Sequence, residues 1–188
     1  MSDGPRIPLD VAGKIADALG AELNPGCERV DVAGSIRRRR PEVGDIELLC
    51  IPRWHTDLLG APLASKVVDE LRRLVADNVL ADRDADGRRL PSGERYRQYI
   101  IVSLGCKLDL YATHACAWGL MLALRTGPAS FSQSLVTRRI QGGRLLDGYE
   151  VAGGRLRRLS DGALMETRDE RRFLETYCGG WVAPEGRA

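Results

Sequence analysis

Two acidic side chains open an otherwise apolar segment of the chain. Residues 45–51 read Asp-Ile-Glu-Leu-Leu-Cys-Ile, so a polar–apolar alternation runs into a continuous apolar stretch. A short apolar run of this kind is typical of a buried β-strand. Because side chains two apart on a strand project from the same face, Asp45 and Glu47 share one face of the predicted sheet. The chain must therefore fold around a sheet that carries two carboxylates on a mostly apolar strand.

The remaining apolar periodicity predicts an α+β fold. Residues 29–33, 98–104 and 106–112 have strand character, and Gly105 between the last two predicts a tight hairpin or a bulge. Helical spacing of apolar residues predicts helices over the segments 8–23, 62–76, 113–125, 129–141 and 169–176. We expect a mixed sheet with flanking helices over residues 1–112, and a smaller helical subdomain with a β-hairpin over residues 113–188.

Composition excludes several classes of protein. Hydrophobic residues make up 44% of the chain and charged residues 29%, which is ordinary for a globular protein. No apolar run approaches ~18 residues, and the N-terminus lacks a signal-peptide pattern, so we expect a cytoplasmic protein without a membrane partner. We also expect a monomer. The five cysteines form no Cys-x-x-Cys pair, which argues against a zinc site or a disulfide framework. Cys50 and Cys106 lie in apolar strand segments and are expected in the core.

A third carboxylate lies on the predicted strand 106–112, where Lys107, Asp109 and Tyr111 face one way. If this strand neighbours 45–51, Asp109 joins the first two carboxylates. Anions within ~4–6 Å of one another repel unless cations neutralise them, and hard divalent ions such as Mg²⁺ take oxygen ligands. A pair of such ions can clamp the attacking and leaving oxygens of a phosphoryl displacement. Alone, an Asp-x-Glu pair on a strand is more often solvent-facing than metal-binding.

A glycine turn with a basic stretch precedes the carboxylate pair. Gly34 and Ser35 follow the strand 29–33, and Arg37 to Arg40 come next. Glycine lets a phosphate approach the backbone, while a serine hydroxyl and arginine guanidinium groups bind phosphate oxygens. The simpler alternative is a turn followed by a solvated basic stretch. The combination of turn, arginines and carboxylates predicts a site for a nucleoside triphosphate with metal.

These motifs resemble the palm signature of the family X DNA polymerases, the DNA polymerase beta group of the nucleotidyltransferase superfamily. The resemblance is to a nucleotidyltransferase-fold palm followed by a thumb-like subdomain, with the boundary near residue 112, in the minimal form carried by some viruses and phages. The matching segments are Val32-Ala33-Gly34-Ser35-Ile36-Arg37-Arg38, Gly44-Asp45-Ile46-Glu47, Lys107-Leu108-Asp109-Leu110, Arg125-Thr126-Gly127, Gly143, the tail from Trp181 to Arg187, and Arg6-Ile7-Pro8.

The resemblance implies a set of catalytic residues. Asp45 and Glu47 would bind two Mg²⁺ ions, for which Mn²⁺ can substitute. Asp109 would bind the catalytic ion and help the primer 3′-hydroxyl lose its proton, with Lys107 as a supporting residue that orients it. The residues implied for nucleotide binding are Gly34, Ser35, Arg38, Gly44, Arg6, Thr126 and Gly127.

The chain departs from the family pattern at several positions. Glu47 replaces the usual second aspartate, and Leu124 and Arg125 occupy the place of an aromatic pair that excludes ribonucleotides. Val136 stands where well-known members place an arginine against the template. The family's amino-terminal lyase region is not matched, so removal of 5′-deoxyribose phosphate is not expected. These departures leave the sugar preference and the template dependence open.

Three functions follow as expectations. The first is a DNA polymerase of the gap-filling repair type, with a nucleoside triphosphate and a primer-template or gapped DNA as partners. The second is a nucleotidyltransferase with an RNA, protein or small-molecule acceptor, which the low net charge of +2 keeps open. The third is a non-catalytic nucleic-acid-binding relative. Three carboxylates argue against the third, because a phosphate-binding surface gains nothing from local negative charge.

Overall fold

The computed structural model describes residues 5–187, which divide into two compact units. The first unit contains the described residues 5–32 and 40–112. The second contains residues 33–39 and 113–187. The segment 33–39 therefore belongs structurally with the C-terminal residues, although it lies within the sequence of the first unit. Each unit has its own core and is described by itself.

The helices are short, apart from the first. Their bounds are α1 Leu9–Leu23, α2 Gly34–Arg37, α3 Val67–Ala76, α4 Trp118–Thr126, α5 Ala129–Val136 and α6 Glu170–Tyr177. Single 3₁₀ turns lie at Asn24–Gly26, Ala115–Ala117, Arg139–Gln141 and Pro184–Gly186. No helix within residues 5–187 is long and apolar enough to cross a membrane.

Within residues 5–187 the strands form four sheets. In the first unit they are β1 Ile7–Pro8, β2 Cys27–Val32, β3 Glu42–Val43, β4 Asp45–Pro52, β5 Trp54–Thr56, β6 Pro62–Ser65, β7 Leu80–Ala81, β8 Tyr96–Ile101 and β9 Cys106–Ala112. In the second unit they are β10 Tyr149–Ala152, β11 Arg155–Arg158 and β12 Leu164–Met165.

The main sheet of the first unit is mixed, with the strand order β2-β4-β9-β8-β7. Strands β4 and β9 are parallel neighbours, and every other pair in this sheet is antiparallel. The parallel pair needs a long crossover connection, because two parallel strands cannot be joined by a tight turn. Helix α3 lies within that connection. Strands β1 and β3 pair separately, as do β5 and β6.

One face of this sheet forms the core of the first unit. Ile46, Leu48 and Leu108 are completely buried, because alternate residues of β4 and β9 point to the same apolar face. Helix α1 packs on β2 and β4, and α3 packs on α1 and β7. The helix residues that enter the core are Ala12, Ala16, Leu19, Leu23, Val67, Leu71 and Leu74.

The second unit is helical with a small antiparallel sheet of order β10-β11-β12. Helix α4 packs against both α5 and α6. Its core combines residues from the helices, the sheet and a loop, namely Leu120, Ala123, Phe131, Leu135, Leu145, Leu156, Phe173, Leu174 and Cys178. The predicted hairpin is present as β10 and β11, and β12 adds a third strand.

The α+β prediction with a mixed, helix-flanked sheet is confirmed, while several element boundaries differ. The predicted helix 62–76 begins only at Val67, because residues 62–65 pair with β5 as strand β6. The predicted helix 129–141 ends at Val136. Strand β8 begins at Tyr96 rather than at Gln98, which brings a tyrosine onto the carboxylate face of the sheet.

Candidate active site

The three carboxylates share the polar face of the main sheet. The parallel register of β4 and β9 places Glu47 directly beside Asp109 and Asp45 beside Lys107. Adjacent strands lie ~4.8 Å apart, so paired side chains on one face are close neighbours. The opposite face carries the apolar core. Strand pairing therefore brings together the acidic residues that the sequence pattern singled out.

Asp109 is held by two side chains of β8, the strand on its other side. Asp109 is only 8% exposed. Its Oδ1 accepts a hydrogen bond from the Tyr96 hydroxyl at 2.8 Å and another from Gln98 Nε2, also at 2.8 Å. Gln98 Nε2 also lies 2.9 Å from the Tyr96 hydroxyl oxygen. The Tyr96 ring stacks on Tyr111 with a centroid distance of 5.0 Å and an interplanar angle of 22°.

Lys107 was expected to orient Asp109, but its position in the sheet is beside another carboxylate. Lys107 is exposed and lies beside Asp45 in the strand register. The hydrogen bonds that hold Asp109 come from Tyr96 and Gln98. Sequence reasoning missed both residues. The register of β8 against β9 pairs Gln98 with Asp109, but a single sequence does not reveal that register.

The donor set on this face fits a hard divalent cation, because all three side chains offer carboxylate oxygens. Among residues 5–187, no group of three or more His, Cys, Asp or Glu side chains is arranged to hold a metal ion. The strand register places the three carboxylates on one face, and a magnesium site there remains a prediction.

Arg6 and Gly44 come together in the first unit through the short β1–β3 ladder. Ile7 pairs with Val43 in that ladder, so the residues that flank the pair are also close. A Cβ built on Gly44 would lie 3.6 Å from a terminal guanidinium nitrogen of Arg6. The two residues predicted to contact a nucleotide are therefore neighbours, and Gly44 immediately precedes Asp45 on β4.

Gly34 and Ser35 form the start of the short helix α2 in the second unit. Gly34 has a φ of 61°, a left-handed conformation that glycine adopts without steric cost. The Ser35 hydroxyl oxygen is buried and makes no hydrogen bond to any of residues 5–187. Buried polar atoms are usually satisfied, so an unpartnered hydroxyl beside a left-handed glycine is compatible with a bound oxyanion.

Arg37 and Arg38 both bond to Thr126, but in different ways. One nitrogen of Arg37 donates to the Thr126 hydroxyl at 2.7 Å. Arg38 donates to the Thr126 carbonyl oxygen at 2.7 Å. Thr126 is completely buried, so its hydroxyl is engaged inside the second unit. These hydrogen bonds do not test the predicted contact of Thr126 with the nucleotide sugar, which remains a prediction.

Glu170 lies between two arginines from distant parts of the chain. Arg37 donates to both of its carboxylate oxygens, at 2.8 and 2.6 Å, and Arg187 donates to Oε1 at 2.8 Å. Arg187 is 0% exposed and lies over the rings of Phe131 and Trp181. Burial lowers the pKa of the Arg187 guanidinium, and the hydrogen bond to Glu170 opposes that shift. Sequence analysis treated Arg37 as part of a phosphate-facing basic stretch, whereas the structure places it in this ion-pair network.

Two glycines of the second unit that match the family pattern are explained by steric constraints. A Cβ on Gly127 would lie 2.5 Å from Phe131 Cδ1, in the turn between α4 and α5. A Cβ on Gly143 would lie 1.9 Å from the Thr137 carbonyl oxygen. Both positions exclude any side chain. Their occurrence is explained by packing, and a role for Gly127 beside a nucleotide stays a prediction.

No family model and no curated protein sequence matches the chain. The structure is similar to the crystal structure of Leishmania infantum polymerase beta in a ternary P/T complex, with a TM-score of 0.73. The match covers 99% of this chain and 78% of that chain, at 16% sequence identity. The fold is polymerase beta-like. At this identity the likeness concerns the fold alone, and it agrees with the mixed sheet and flanking helices described above.

Proposed function

We propose that the chain is a metal-dependent nucleotidyltransferase that adds a nucleotide to a DNA 3′-hydroxyl. One observation carries the proposal: Glu47 and Asp109 are register partners on parallel strands, with Asp45 on the same face. The polymerase beta-like fold supports it. A sheet face with three carboxylates serves no purpose in a purely phosphate-binding protein, because anions repel phosphate.

The three carboxylates have distinct roles in the proposed reaction. Asp45, Glu47 and Asp109 would hold two Mg²⁺ ions, or Mn²⁺ in their place. When bound, these ions neutralise charge on the triphosphate and on the attacking and leaving oxygens. Asp109 would also take the proton of the attacking hydroxyl. A bond forms between the 3′-oxygen and the α-phosphorus, the bond from that phosphorus to the bridging oxygen breaks, and pyrophosphate leaves.

Residues of the Gly34–Arg38 segment would bind the triphosphate. The buried Ser35 hydroxyl is a hydrogen-bond donor without a partner among residues 5–187, and Gly34, in a left-handed conformation, has no side chain to hinder a phosphate near the backbone. Arg38 supplies a guanidinium group for charge-assisted bonds to oxyanions. Arg6, held beside Gly44, would add a second cation. Thr126 and Gly127 complete the proposed nucleotide-binding set.

The proposed acceptor is gapped or primer-template DNA in a repair setting. A net charge of only +2 also leaves room for a different acceptor, such as RNA, a protein side chain or a small molecule. The two acceptor classes separate in one assay. Release of pyrophosphate from a triphosphate in the absence of DNA, with no primer extension in its presence, would favour the second class.

Primer extension on gapped DNA with Mg²⁺ or Mn²⁺ tests the proposal. We expect extension by the wild type, and a fall in kcat of more than about 100-fold for Asp109→Asn, which keeps the shape of the side chain but removes its charge. Each tenfold fall in kcat corresponds to a loss of ~1.4 kcal/mol of transition-state stabilisation, so a fall of about 100-fold corresponds to about twice that loss. Asp17→Asn, on the exposed side of α1, is the matched control and should extend normally. Undiminished extension by Asp109→Asn would contradict the proposal.

A further inference from the structure

Strand β8 contributes two neutral hydrogen-bond donors to the carboxylate face. Tyr96 and Gln98 are two apart on the strand, so their side chains project from the same face. The antiparallel register pairs Gln98 with Asp109 and Tyr96 with Tyr111. Neither Tyr96 nor Gln98 belongs to a motif that suggested the function. Their contacts nevertheless determine how the most deeply buried of the three carboxylates is oriented.

Both donors bind the same oxygen of Asp109. The Tyr96 hydroxyl and Gln98 Nε2 each lie 2.8 Å from Oδ1. The 2.9 Å contact between Gln98 Nε2 and the Tyr96 hydroxyl closes a triangle with that oxygen. A carboxylate that is bonded twice at one oxygen has its side-chain rotation fixed, and the direction of its second oxygen is fixed with it.

The phenol that makes one of these bonds is itself held in place. The Tyr96 ring stacks on Tyr111 at a centroid distance of 5.0 Å, and Tyr111 follows Asp109 by two residues on β9. Stacked aromatic pairs are stabilised beyond the effect of the apolar area that they bury. The ring contact therefore orients the hydroxyl independently of the hydrogen bond, which means that the hydroxyl can be removed without displacing the ring.

We propose that Tyr96 and Gln98 are positioning residues for Asp109, which bind Oδ1 and thereby direct Oδ2 toward the divalent cation and the attacking hydroxyl. This inference rests on the proposed function. Groups that hydrogen-bond to a metal-binding side chain orient it and typically change metal affinity by 10- to 100-fold. Two donors on Oδ1 leave Oδ2 as the ligating oxygen, so the pair also selects which oxygen performs the chemistry.

Two single substitutions remove one donor each and keep the shape of the side chain. Tyr96→Phe removes the hydroxyl and retains the stacked ring, while Gln98→Met retains the length of the side chain without an N–H group. Tyr99→Phe is the matched control, because Tyr99 directly follows Gln98 on β8 and points to the opposite, buried face. Circular dichroism and the melting temperature establish that each variant folds.

Binding of Mn²⁺, measured by electron paramagnetic resonance, is the first readout. We expect the Kd for Mn²⁺ to rise about tenfold in Tyr96→Phe and in Gln98→Met, and to stay at the wild-type value in Tyr99→Phe. The second readout is primer extension, in which kcat should fall while the KM for the triphosphate is unchanged, since Ser35 and Arg38 are proposed to hold that substrate. The double variant should lose less than the product of the single effects, because the two donors form one triangle.

The outcomes separate this inference from the proposed function. Wild-type affinity for Mn²⁺ in both single variants would overturn the positioning role, whether or not the enzyme extends DNA. Weakened Mn²⁺ binding in both variants, with no turnover of any triphosphate by the wild type, would support the positioning role and refute the proposed function. A wild type that binds no Mn²⁺ would refute both. If Tyr96→Phe fails to fold, Gln98→Met decides.

Discussion

Cys178 is the residue whose surroundings give the sharpest expectation for stability against pH. It lies in the core of the second unit, 1% exposed. Burial raises the pKa of its thiol from the ordinary value of 9.0 to about 12. Below pH 9 the thiol is neutral in the folded and the unfolded chain. Between pH 9 and pH 12 the unfolded chain loses the proton first, so ionisation favours unfolding in that window.

We expect the free energy of unfolding to fall as the pH rises above 9, with Cys178 contributing ~1.4 kcal/mol per pH unit. Urea unfolding at pH 8 and pH 10 measures this. Cys178→Ala should be less stable at pH 8 because it leaves a cavity, but its decline to pH 10 should be smaller by about 1.4 kcal/mol. Between pH 6 and pH 8 the two proteins should change in parallel. Equal declines to pH 10 would show that the thiol ionises normally when folded.

Single residues also show how much of the candidate site could be predicted from the sequence. The alternation on two strands predicted that Asp45, Glu47 and Asp109 share a face, and strand pairing confirms this shared face because the period of two is a local property. The network around Glu170 could not be predicted. Arg37 and Glu170 are 133 residues apart, and their contact depends on tertiary packing that no local pattern records.

At the scale of elements, a glycine of helix α1 and a glycine of helix α4 differ in how much space surrounds them. A Cβ on Gly13 of α1 would meet nothing within 4 Å. A Cβ on Gly119 of α4 would lie 2.3 Å from the backbone carbon of Asp169, at the start of α6. The Gly119 amide also donates to the Thr167 carbonyl at 2.6 Å. Helix α4 therefore approaches the chain before α6 so closely that only glycine fits.

The same substitution should have opposite effects in the two helices. We expect Gly13→Ala to stabilise the protein by ~0.5–1 kcal/mol, because alanine is the better helix former. Gly119→Ala should destabilise it by at least ~1–3 kcal/mol, the usual cost of forcing extra volume into a packed interior. Chemical denaturation of the two variants beside the wild type measures both. A Gly119→Ala protein as stable as the wild type would mean that α4 and α6 can move apart freely.

The errors in the predicted element boundaries share a physical cause. Residues 62–65 have a helix-compatible composition, but pairing with β5 makes them a strand, since a hydrogen-bonded ladder overrides weak propensity. Tyr96 follows a polar loop, so apolar periodicity alone did not include it in β8. It became a strand residue through its register with Tyr111. Strand ends are determined by partners, and the partners lie elsewhere in the chain.

At the scale of the whole molecule, the order of the chain and the membership of the two units differ. Residues 33–39 lie between strands β2 and β3 in sequence, yet they belong to the second unit. Sequence analysis placed the boundary near residue 112 and kept this segment with residues 1–112. The segment contains Arg37, whose two bonds to Glu170 link it to helix α6 of the second unit. The membership of this segment follows from tertiary contacts, which its position in the sequence does not record.

This membership predicts where a substitution at Arg37 is felt. In Arg37→Met, the 7%-exposed carboxylate of Glu170 loses its two-point partner and keeps only Arg187. Removing one partner of a buried ion pair costs ~3–5 kcal/mol, and the remaining arginine reduces that figure. A loss of even ~1.4 kcal/mol accelerates amide exchange through local opening about tenfold. We expect faster hydrogen exchange in α4 and α6, with β4 and β9 exchanging as in the wild type.

Arg29→Met is the control for this exchange experiment. It breaks the 2.7 Å ion pair between Arg29 and Asp31 on β2 in the first unit, where both side chains are well exposed. An exposed pair contributes little to stability, so exchange should not change in either unit. If Arg37→Met instead loosened β4 and β9 and left α6 protected, the segment 33–39 would be energetically part of the first unit. Exchange confined to α4 and α6 would show that a seven-residue segment inside one unit's sequence stabilises the other unit.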